Sequence, residues 1–259
     1  YATLLYSNPN NPTWLCLNEK ELEIIGRLSK KHGVTVIEDL AYFGMDFRRD
    51  YSRPGEPPYQ PTVAKFTESY VIMLSTSKAF SYAGERCAVL MVSDALYHSR
   101  HASLERYFGT DLFGKAMIYN MIYDMTAGTS HSAQYGVAAL LKAANDGTCN
   151  FLEIVREYAE RAKVMKRLLL DNGFTIVYED DDGEPVGDGF YFTFGYPGMS
   201  GGELVRELLY YGISAISLAI AGAAERSDGL RACVSQFDKS QEKVLADRLR
   251  RFREDHPES

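Results

Sequence analysis

The first third of the chain alternates short apolar runs with polar or helical segments, and this alternation restricts the fold more than any other feature. The apolar runs have the length and composition of buried strands, and they cover residues 2–6, 34–38, 71–74 and 87–92. Between the first two runs, apolar residues recur at helical spacing after Asn18, which can cap a helix that Gly33 then ends. Strand, helix and strand in close succession require right-handed crossovers, so the pattern predicts an α/β fold with a mostly parallel sheet.

The rest of the chain is richer in helix. We predict helices over residues 94–108, 115–125, 131–144, 151–172, 202–211 and 239–252. Further strands are predicted over residues 174–177, 189–194 and 230–234, with a short one near residue 213 and an acidic loop over residues 179–187. The long helix after residue 150 marks a boundary between two domains, residues 1–150 and a smaller α/β domain over residues 151–259.

Composition is that of an ordinary globular protein, with 46% hydrophobic and 24% charged residues. The net charge of −7 argues against nucleic acid as a partner. No apolar stretch is long enough to span a bilayer, so no membrane partner is expected either. The four cysteines, Cys16, Cys87, Cys149 and Cys233, form no Cys-x-x-Cys pair, which favours a reducing compartment, the cytoplasm.

Polar residues follow three of the predicted strands. Asn11, Asp39 and Lys78 each lie just past the end of an apolar run. In open α/β sheets, ligands bind outside the carboxyl ends of the strands. The sequence therefore predicts one shared site for these three side chains.

Lys78 is the best candidate for covalent chemistry. It follows a buried strand, sits among small hydroxyl residues, and is followed by Arg86 eight positions later. A lone lysine is more often a solvated surface charge. A lysine at the mouth of a sheet beside an arginine, however, suits a Schiff base next to an anion.

The Ser-x-Ser-Lys sequence at residues 75–78, followed by Gly-x-Arg at residues 84–86, resembles the cofactor-lysine signature of fold-type I aminotransferases of class I/II. These enzymes depend on pyridoxal 5′-phosphate. The resemblance implies that Lys78 holds the cofactor and acts as the catalytic base. It also implies a set of phosphate ligands, namely Ser75, Ser77 and Arg86. Ala88 departs from the family, which often has glycine two places after the arginine.

Two more motifs resemble the same family. Asp39 and Tyr42 form its Asp-x-x-Tyr pair, in which the aspartate binds the pyridine nitrogen and the tyrosine the phenolic oxygen of the cofactor. From position alone, a turn aspartate and a core tyrosine are the alternative interpretations. Residues 8–13, Asn-Pro-Asn-Asn-Pro-Thr, resemble the family's Asn-Pro-x-Asn-Pro-Thr-Gly motif, which implies that Asn11 also binds the phenolic oxygen. Trp14 replaces the closing glycine of that motif.

Arg231 lies inside the predicted strand over residues 230–234, where a charge without a partner is uncommon. It resembles the C-terminal arginine that binds the substrate α-carboxylate in this family, with Asn11 as a second substrate-binding residue. The resemblance also implies a homodimer, with residues 128–130 touching phosphate across its interface. His98 and His101 lack a third ligand, so no metal site is expected.

The resemblance implies an aminotransferase that moves an amino group between an α-amino acid and a 2-oxo acid. The family places a glycine-rich phosphate loop and a stacking aromatic residue upstream of the Asn-Pro motif, outside this sequence. We therefore expect residues 1–150 to be the remainder of an incomplete cofactor-binding large domain, and this chain alone to be inactive.

Three alternatives use the same fold. A carbon–sulfur lyase or a decarboxylase would share the cofactor residues, although Arg231 favours a substrate that keeps its carboxylate. The third is the ligand-sensing domain of a transcription regulator. A helix-turn-helix upstream would favour the regulator.

Overall fold

The computed structural model of the protein describes residues 2–222 and 229–257. Within them the chain divides into two compact units. The first unit comprises residues 2–9, Leu17–Gly44 and Tyr51–Leu152. The second unit comprises Asn10–Cys16, Met45–Asp50 and the residues from Glu153 onward. Two short segments from the first third of the chain therefore belong to the second unit.

A four-stranded sheet forms the centre of the first unit. Its strands are β1 (Thr3–Ser7), β2 (Thr35–Leu40), β3 (Tyr70–Ser75) and β4 (Ala88–Val92), in the order β1-β2-β3-β4. The β1–β2 and β2–β3 pairs are parallel, and β4 runs antiparallel to β3. The prediction of an α/β fold with a mostly parallel sheet is confirmed.

Helices and 3₁₀ turns connect and cover this sheet. The helices are α1 (Glu19–His32), α2 (Thr76–Ala79), α3 (Asp94–Tyr97), α4 (Ala102–Phe108), α5 (Phe113–Lys115), a π-helix (Ala116–Tyr123), α6 (Asp124–Thr126) and α7 (His131–Asn145). Val63–Lys65 and Ala83–Glu85 are 3₁₀ turns. Asn18 caps α1 in a reciprocal capping box with Glu21, and Gly33 ends it in the left-handed conformation, as predicted.

The single helix predicted over residues 94–108 is wrong. The structure has two short helices, α3 and α4, interrupted by an extended bridge between Arg100 and Leu112. The Ser99 hydroxyl donates to the carbonyl of Leu96 at 2.6 Å, and Arg100 forms a salt bridge with Asp111 at 2.8 Å. These local bonds compete with continued helix, as serine side chains often do.

In its described residues, the second unit contains an antiparallel sheet and three helices. Its strands are β5 (Thr175–Ile176), β8 (Tyr191–Gly195), β9 (Ile216–Ser217) and β10 (Leu230–Cys233), in the order β5-β8-β10-β9. The helices are α8 (Phe151–Leu170, from Glu153 in this unit), α9 (Gly201–Tyr210) and α10 (Glu242–Asp255), with 3₁₀ turns at Leu218–Ala221 and Lys239–Gln241. Buried Phe192, Phe194 and Leu230 pack in its core with the helices. None of the described helices is long and apolar enough to cross a membrane.

The predicted acidic loop contains a small hairpin. Strands β6 (Asp180–Asp181) and β7 (Glu184–Pro185) pair antiparallel across Asp182 and Gly183, which both have positive φ, 53° and 84°. Asp-Gly is a strong signal for this tight turn, and it was present in the sequence.

Candidate active site

The turn that carries Lys78 follows directly on β3. Ser75 is the N-cap of α2, and its hydroxyl oxygen accepts a hydrogen bond from the backbone N–H of Ser77 at 3.2 Å. Thr76 is buried, and its hydroxyl donates to the backbone carbonyl of Cys87 at 2.6 Å. This second bond ties the turn to the residue that precedes β4. The lysine is thus presented from a turn that is held at both of its neighbouring strands.

The structure brings Lys78 next to Tyr42. The Nζ atom of the half-buried lysine lies 5.5 Å from the centroid of the buried tyrosine ring. A protonated amine over an aromatic face is stabilised by about 0.5–1 kcal/mol, and by more when it is shielded from water. Two of the predicted cofactor residues are therefore neighbours.

Asp39 lies at the same edge of the sheet. It pairs in register with Ser7 of β1 and Met73 of β3, one residue before the end of β2. Its Oδ1 atom accepts a hydrogen bond from the backbone N–H of Ala41 at 2.9 Å. Since β2 and β3 are parallel neighbours, Asp39 and the turn that carries Lys78 lie at one carboxyl edge.

Arg86 lies between the 3₁₀ turn Ala83–Glu85 and β4. It is exposed, has a φ of 52°, and donates from Nη1 to the carbonyl of Ala83 at 2.7 Å. A guanidinium group has five N–H donors, so this one bond leaves capacity to bind an anion. Residues 128–130 lie directly before α7, with Gly128 and Ser130 exposed, and the carbonyl of Thr129 accepts from Gln134 at 2.8 Å.

Glu38 is a structural residue that the sequence analysis missed. Its carboxylate is fully buried and accepts hydrogen bonds from the backbone N–H of Val63 at 2.9 Å and from the amide of Asn8 at 3.4 Å. Burial raises the pKa of Glu38, and these donors oppose the rise. The pKa of Tyr6 is also raised, first by burial and then by the charge of Glu38. Asn8 therefore anchors the start of the Asn-Pro motif to β2.

Arg231 and Asn11 meet in the second unit. The Nη1 atom of Arg231 donates to the side-chain carbonyl of Asn11 at 2.9 Å, and its guanidinium carbon lies 4.2 Å from the ring centroid of Tyr191. Within the described part of the chain, the buried Nε–H of Arg231 has no hydrogen-bond partner. An unpaired buried donor costs about 1–3 kcal/mol, so this atom favours a ligand that can accept from it.

Trp14 adopts the left-handed backbone conformation that glycine takes up most readily. Its φ is 64°, and its ring is buried with 1% of the residue exposed. The left-handed conformation costs about 1–2 kcal/mol for a residue with a side chain. Burial of a large aromatic ring contributes about 3–5 kcal/mol, which outweighs that cost. The bond between Asn11 and Pro12 is cis.

Each predicted site residue thus has a defined place. The first unit carries Asp39, Tyr42, Ser75, Ser77, Lys78 and Arg86, and the second unit carries Asn11 and Arg231. Sequence reasoning missed Thr76, Glu38 and Tyr191, whose roles depend on contacts with residues of other segments. Within residues 2–222 and 229–257, no group of three His, Cys, Asp or Glu side chains could hold a metal ion.

Comparisons with known proteins give a consistent result. Thermus thermophilus aspartate aminotransferase, as a double mutant, superposes with a TM-score of 0.70 and 19% identity, over 97% of this chain and 56% of that chain. YbdL from Escherichia coli, described as having a methionine aminotransferase function, superposes with a TM-score of 0.72 and 17% identity, over 96% of this chain and 58% of that chain. A pyridoxal-phosphate-dependent aminotransferase from Streptococcus suis has a TM-score of 0.68 and 15% identity, over 100% of this chain and 59% of that chain. At these identities the likeness shows the fold alone.

The chain spans 56% to 59% of the length of these three proteins. No curated protein matches it. The family described as aminotransferase class I and II, in contrast, has a model that matches residues 2–249. Because that match covers nearly the whole chain, the protein belongs to the aminotransferase class I and II family.

Proposed function

We propose that the complete protein is a pyridoxal-phosphate-dependent aminotransferase that transfers an amino group between an α-amino acid and a 2-oxo acid. In this proposal residues 1–150 are the remainder of its cofactor-binding large domain, and residues 151–259 are its small domain. The observation that carries the proposal is the position of Lys78 over the Tyr42 ring, at the end of β3 and at the sheet edge that also holds Asp39.

The donor set of the first unit fits pyridoxal phosphate. A half-buried amine, a carboxylate at the same sheet edge and an arginine with spare donors match the aldehyde, the ring nitrogen and the phosphate of that cofactor. Six residues of this unit would hold it, namely Asp39, Tyr42, Ser75, Ser77, Lys78 and Arg86. When bound, the cofactor supplies a carbonyl for amine exchange and a ring that withdraws electrons.

Lys78 would also move a proton. Its Nζ atom, when neutral, accepts the proton from the substrate Cα and later returns one to the product. The face of Tyr42 stabilises the protonated amine between these events. The hydrogen bond from Thr76 to Cys87 limits the movement of the turn, which keeps the base within reach of that carbon.

Arg231 would bind the α-carboxylate of the substrate. A guanidinium group matches a carboxylate bidentately through Nε and one Nη atom. The unpartnered Nε–H and the stacking of the group on Tyr191 support this role, and the bond to Asn11 restricts its orientation. Decarboxylation would remove the carboxylate that Arg231 would bind. This role of Arg231 therefore favours transamination over decarboxylation.

The assembly and location of the complete protein are also proposals. We propose a homodimer in the cytoplasm, with residues 128–130 near the phosphate across the subunit boundary. Four free cysteines fit a reducing compartment.

The test uses the full-length protein and a panel of amino donors with a 2-oxo acid. Lys78→Ala should abolish the visible absorbance of bound cofactor and lower transamination by roughly 10²–10⁴-fold, the usual effect of losing a general base. Lys142→Ala, at an exposed lysine paired with Asp146, is the control and should leave both unchanged. Normal turnover in Lys78→Ala would contradict the proposal. Release of a thiol without amino transfer would identify a carbon–sulfur lyase instead.

A further inference from the structure

Trp14 fills a space that exists only because residue 189 is glycine. A Cβ atom placed on Gly189 would lie 1.8 Å from Cε2 and 1.9 Å from Nε1 of the indole ring. These distances are far shorter than any van der Waals contact, so the ring lies directly against the backbone of Gly189. A tryptophan at position 14 and a glycine at position 189 therefore depend on each other.

The backbone at Gly187, two residues earlier, lies similarly close to the side chain of Arg48. A Cβ atom on Gly187 would lie 2.9 Å from Cγ of Arg48. Between the two glycines, Asp188 forms a salt bridge with Lys166 of α8 at 2.9 Å. Residues 187–189 are thus held to α8 while they cover Trp14 and Arg48.

The turn that carries Trp14 is itself tightly bonded. The N–H of Trp14 donates to the carbonyl of Asn10 at 2.8 Å, and the hydroxyl of Thr13 donates to the side-chain carbonyl of Asn10 at 2.8 Å. On its far side, Arg48 donates to the carbonyl of Cys16 at 2.8 Å and forms a salt bridge with Asp46. The position of Asn11, inside this turn, therefore follows the position of Trp14.

A second path leads from Trp14 to Arg231 through Tyr191. The indole ring meets the Tyr191 ring edge-on, with centroids 6.3 Å apart and an angle of 80° between the planes. The Tyr191 ring also contacts the guanidinium of Arg231, whose central carbon lies 4.2 Å from the ring centroid. In the β8–β10 ladder, Arg231 pairs with Thr193, so Tyr191 is its diagonal neighbour on the sheet.

We infer that Trp14 is a positioning residue for Arg231. Its ring, held against Gly189, fixes Tyr191 below the guanidinium and fixes the turn whose Asn11 accepts from Nη1. The guanidinium is therefore oriented before a carboxylate arrives, which reduces the entropy that binding must otherwise remove. The inference rests on the proposed role of Arg231 as the carboxylate-binding residue.

The position of the Arg231 guanidinium is tested through the NMR resonance of its Nε–H. This resonance is assigned as the signal that disappears in Arg231→Lys. Stacking on Tyr191 should shift this signal upfield, and Tyr191→Leu should remove the shift. Trp14→Leu and Gly189→Ala should each move the signal toward its unstacked position, whereas Trp14→Phe should largely retain the shift. Phe252→Leu, which also truncates a buried aromatic residue of this unit, is the control and should leave the signal in place.

Gly189→Ala keeps the test decisive if Trp14→Leu fails to fold. Trp14 is the only tryptophan of the sequence, so its emission reports directly on the displaced ring. Gly189→Ala should move that emission to longer wavelength. In a Trp14→Gly background, the added methyl group no longer meets the indole, so the two substitutions should be strongly non-additive in unfolding experiments. Additive effects, or an unchanged Arg231 signal in Gly189→Ala, would overturn the inference.

The kinetic part uses the full-length protein. Trp14→Leu should raise KM for the amino acid about tenfold, the effect of one misplaced hydrogen bond, with a smaller change in kcat. If Arg231→Lys leaves KM unchanged, the carboxylate role is wrong while the NMR result still decides the positioning. If Arg231→Lys raises KM and Trp14→Leu does not, the proposed function survives and the positioning role is wrong.

Discussion

Two adjacent carboxylates on β2 have different surroundings. Glu38 is fully buried and bonded to Val63 and Asn8, whereas Asp39 is half-buried and bonded to the N–H of Ala41. Successive side chains of a strand point to opposite faces, so the two groups face different sides of the sheet. The first has a structural role, and the second is available at the edge that also carries Lys78.

Glu38 predicts a dependence of stability on pH. Because its pKa is raised in the folded protein, its stabilising contribution is complete below the ordinary value of 4.5 and is lost as pH rises through the raised pKa. Glu38→Gln cannot ionise and should gain stability relative to the wild type as pH rises above 4.5, by about 1.4 kcal/mol per unit of pKa displacement. Urea unfolding at several pH values measures this difference, with Glu68→Gln at an exposed position as the control. A difference that does not change with pH would contradict the assignment.

Positions just past strand ends predicted a shared site for Lys78 and Asp39, and the resemblance to the family added Tyr42 and the expected roles of all three. They could not predict Glu38 as a buried anchor, since its partners Asn8 and Val63 are distant in sequence. The replacement of a glycine by Trp14 was visible, but its compensation at Gly189 was not, because only the folded chain brings the two together.

At the scale of elements, one buried hydrogen bond connects the turn of Lys78 with the start of β4. Thr76 donates to the carbonyl of Cys87, and Arg86 immediately precedes that residue. The bond therefore couples the turn that presents the lysine to the chain that presents the arginine. Loss of this hydrogen bond should therefore disturb the positions of both Lys78 and Arg86.

Thr76→Val keeps the size of the side chain but leaves the carbonyl of Cys87 without this donor. We expect a loss of about 1–3 kcal/mol in the free energy of unfolding, measured with urea, and faster loss of cofactor from the full-length protein. Thr76→Ser retains the hydroxyl and should behave much more like the wild type. Equal effects of the two substitutions would show that packing of the methyl group, not the hydrogen bond, is what matters.

Most elements were predictable from local patterns, because caps and periodicity are local. The capping box of Asn18 and Glu21 specified α1, and the apolar runs specified β1 to β4. The predictions failed where short polar contacts decide the path, as between α3 and α4, or where a two-residue strand depends on its turn, as in the β6–β7 hairpin. The assignment of residues 10–16 to the second unit depends on contacts with residues far along the chain.

At the scale of the molecule, β1 is an edge strand of the described sheet, pairing with β2. Leu4 and Leu5 are 41% and 63% exposed on it. An exposed edge that carries apolar side chains offers its backbone to other chains and favours association.

Leu5→Lys should therefore reduce self-association of this chain in solution. Ile154→Lys is the matched control, because Ile154 is 65% exposed, close to the 63% of Leu5, but lies on helix α8. Sedimentation velocity at several protein concentrations compares the three proteins. An equal reduction by both substitutions would indicate an effect of charge alone and would contradict the role of the edge.

We propose that Lys78 is the residue that holds the cofactor in the complete protein. The most direct measurement is reduction of the full-length protein with borohydride in the presence of pyridoxal phosphate, followed by peptide mapping with mass spectrometry. Reduction fixes the cofactor to the amine that binds it. We predict the added mass on the peptide that contains Lys78, and its disappearance in Lys78→Ala. Labelling of a different lysine, or of none, would contradict the account.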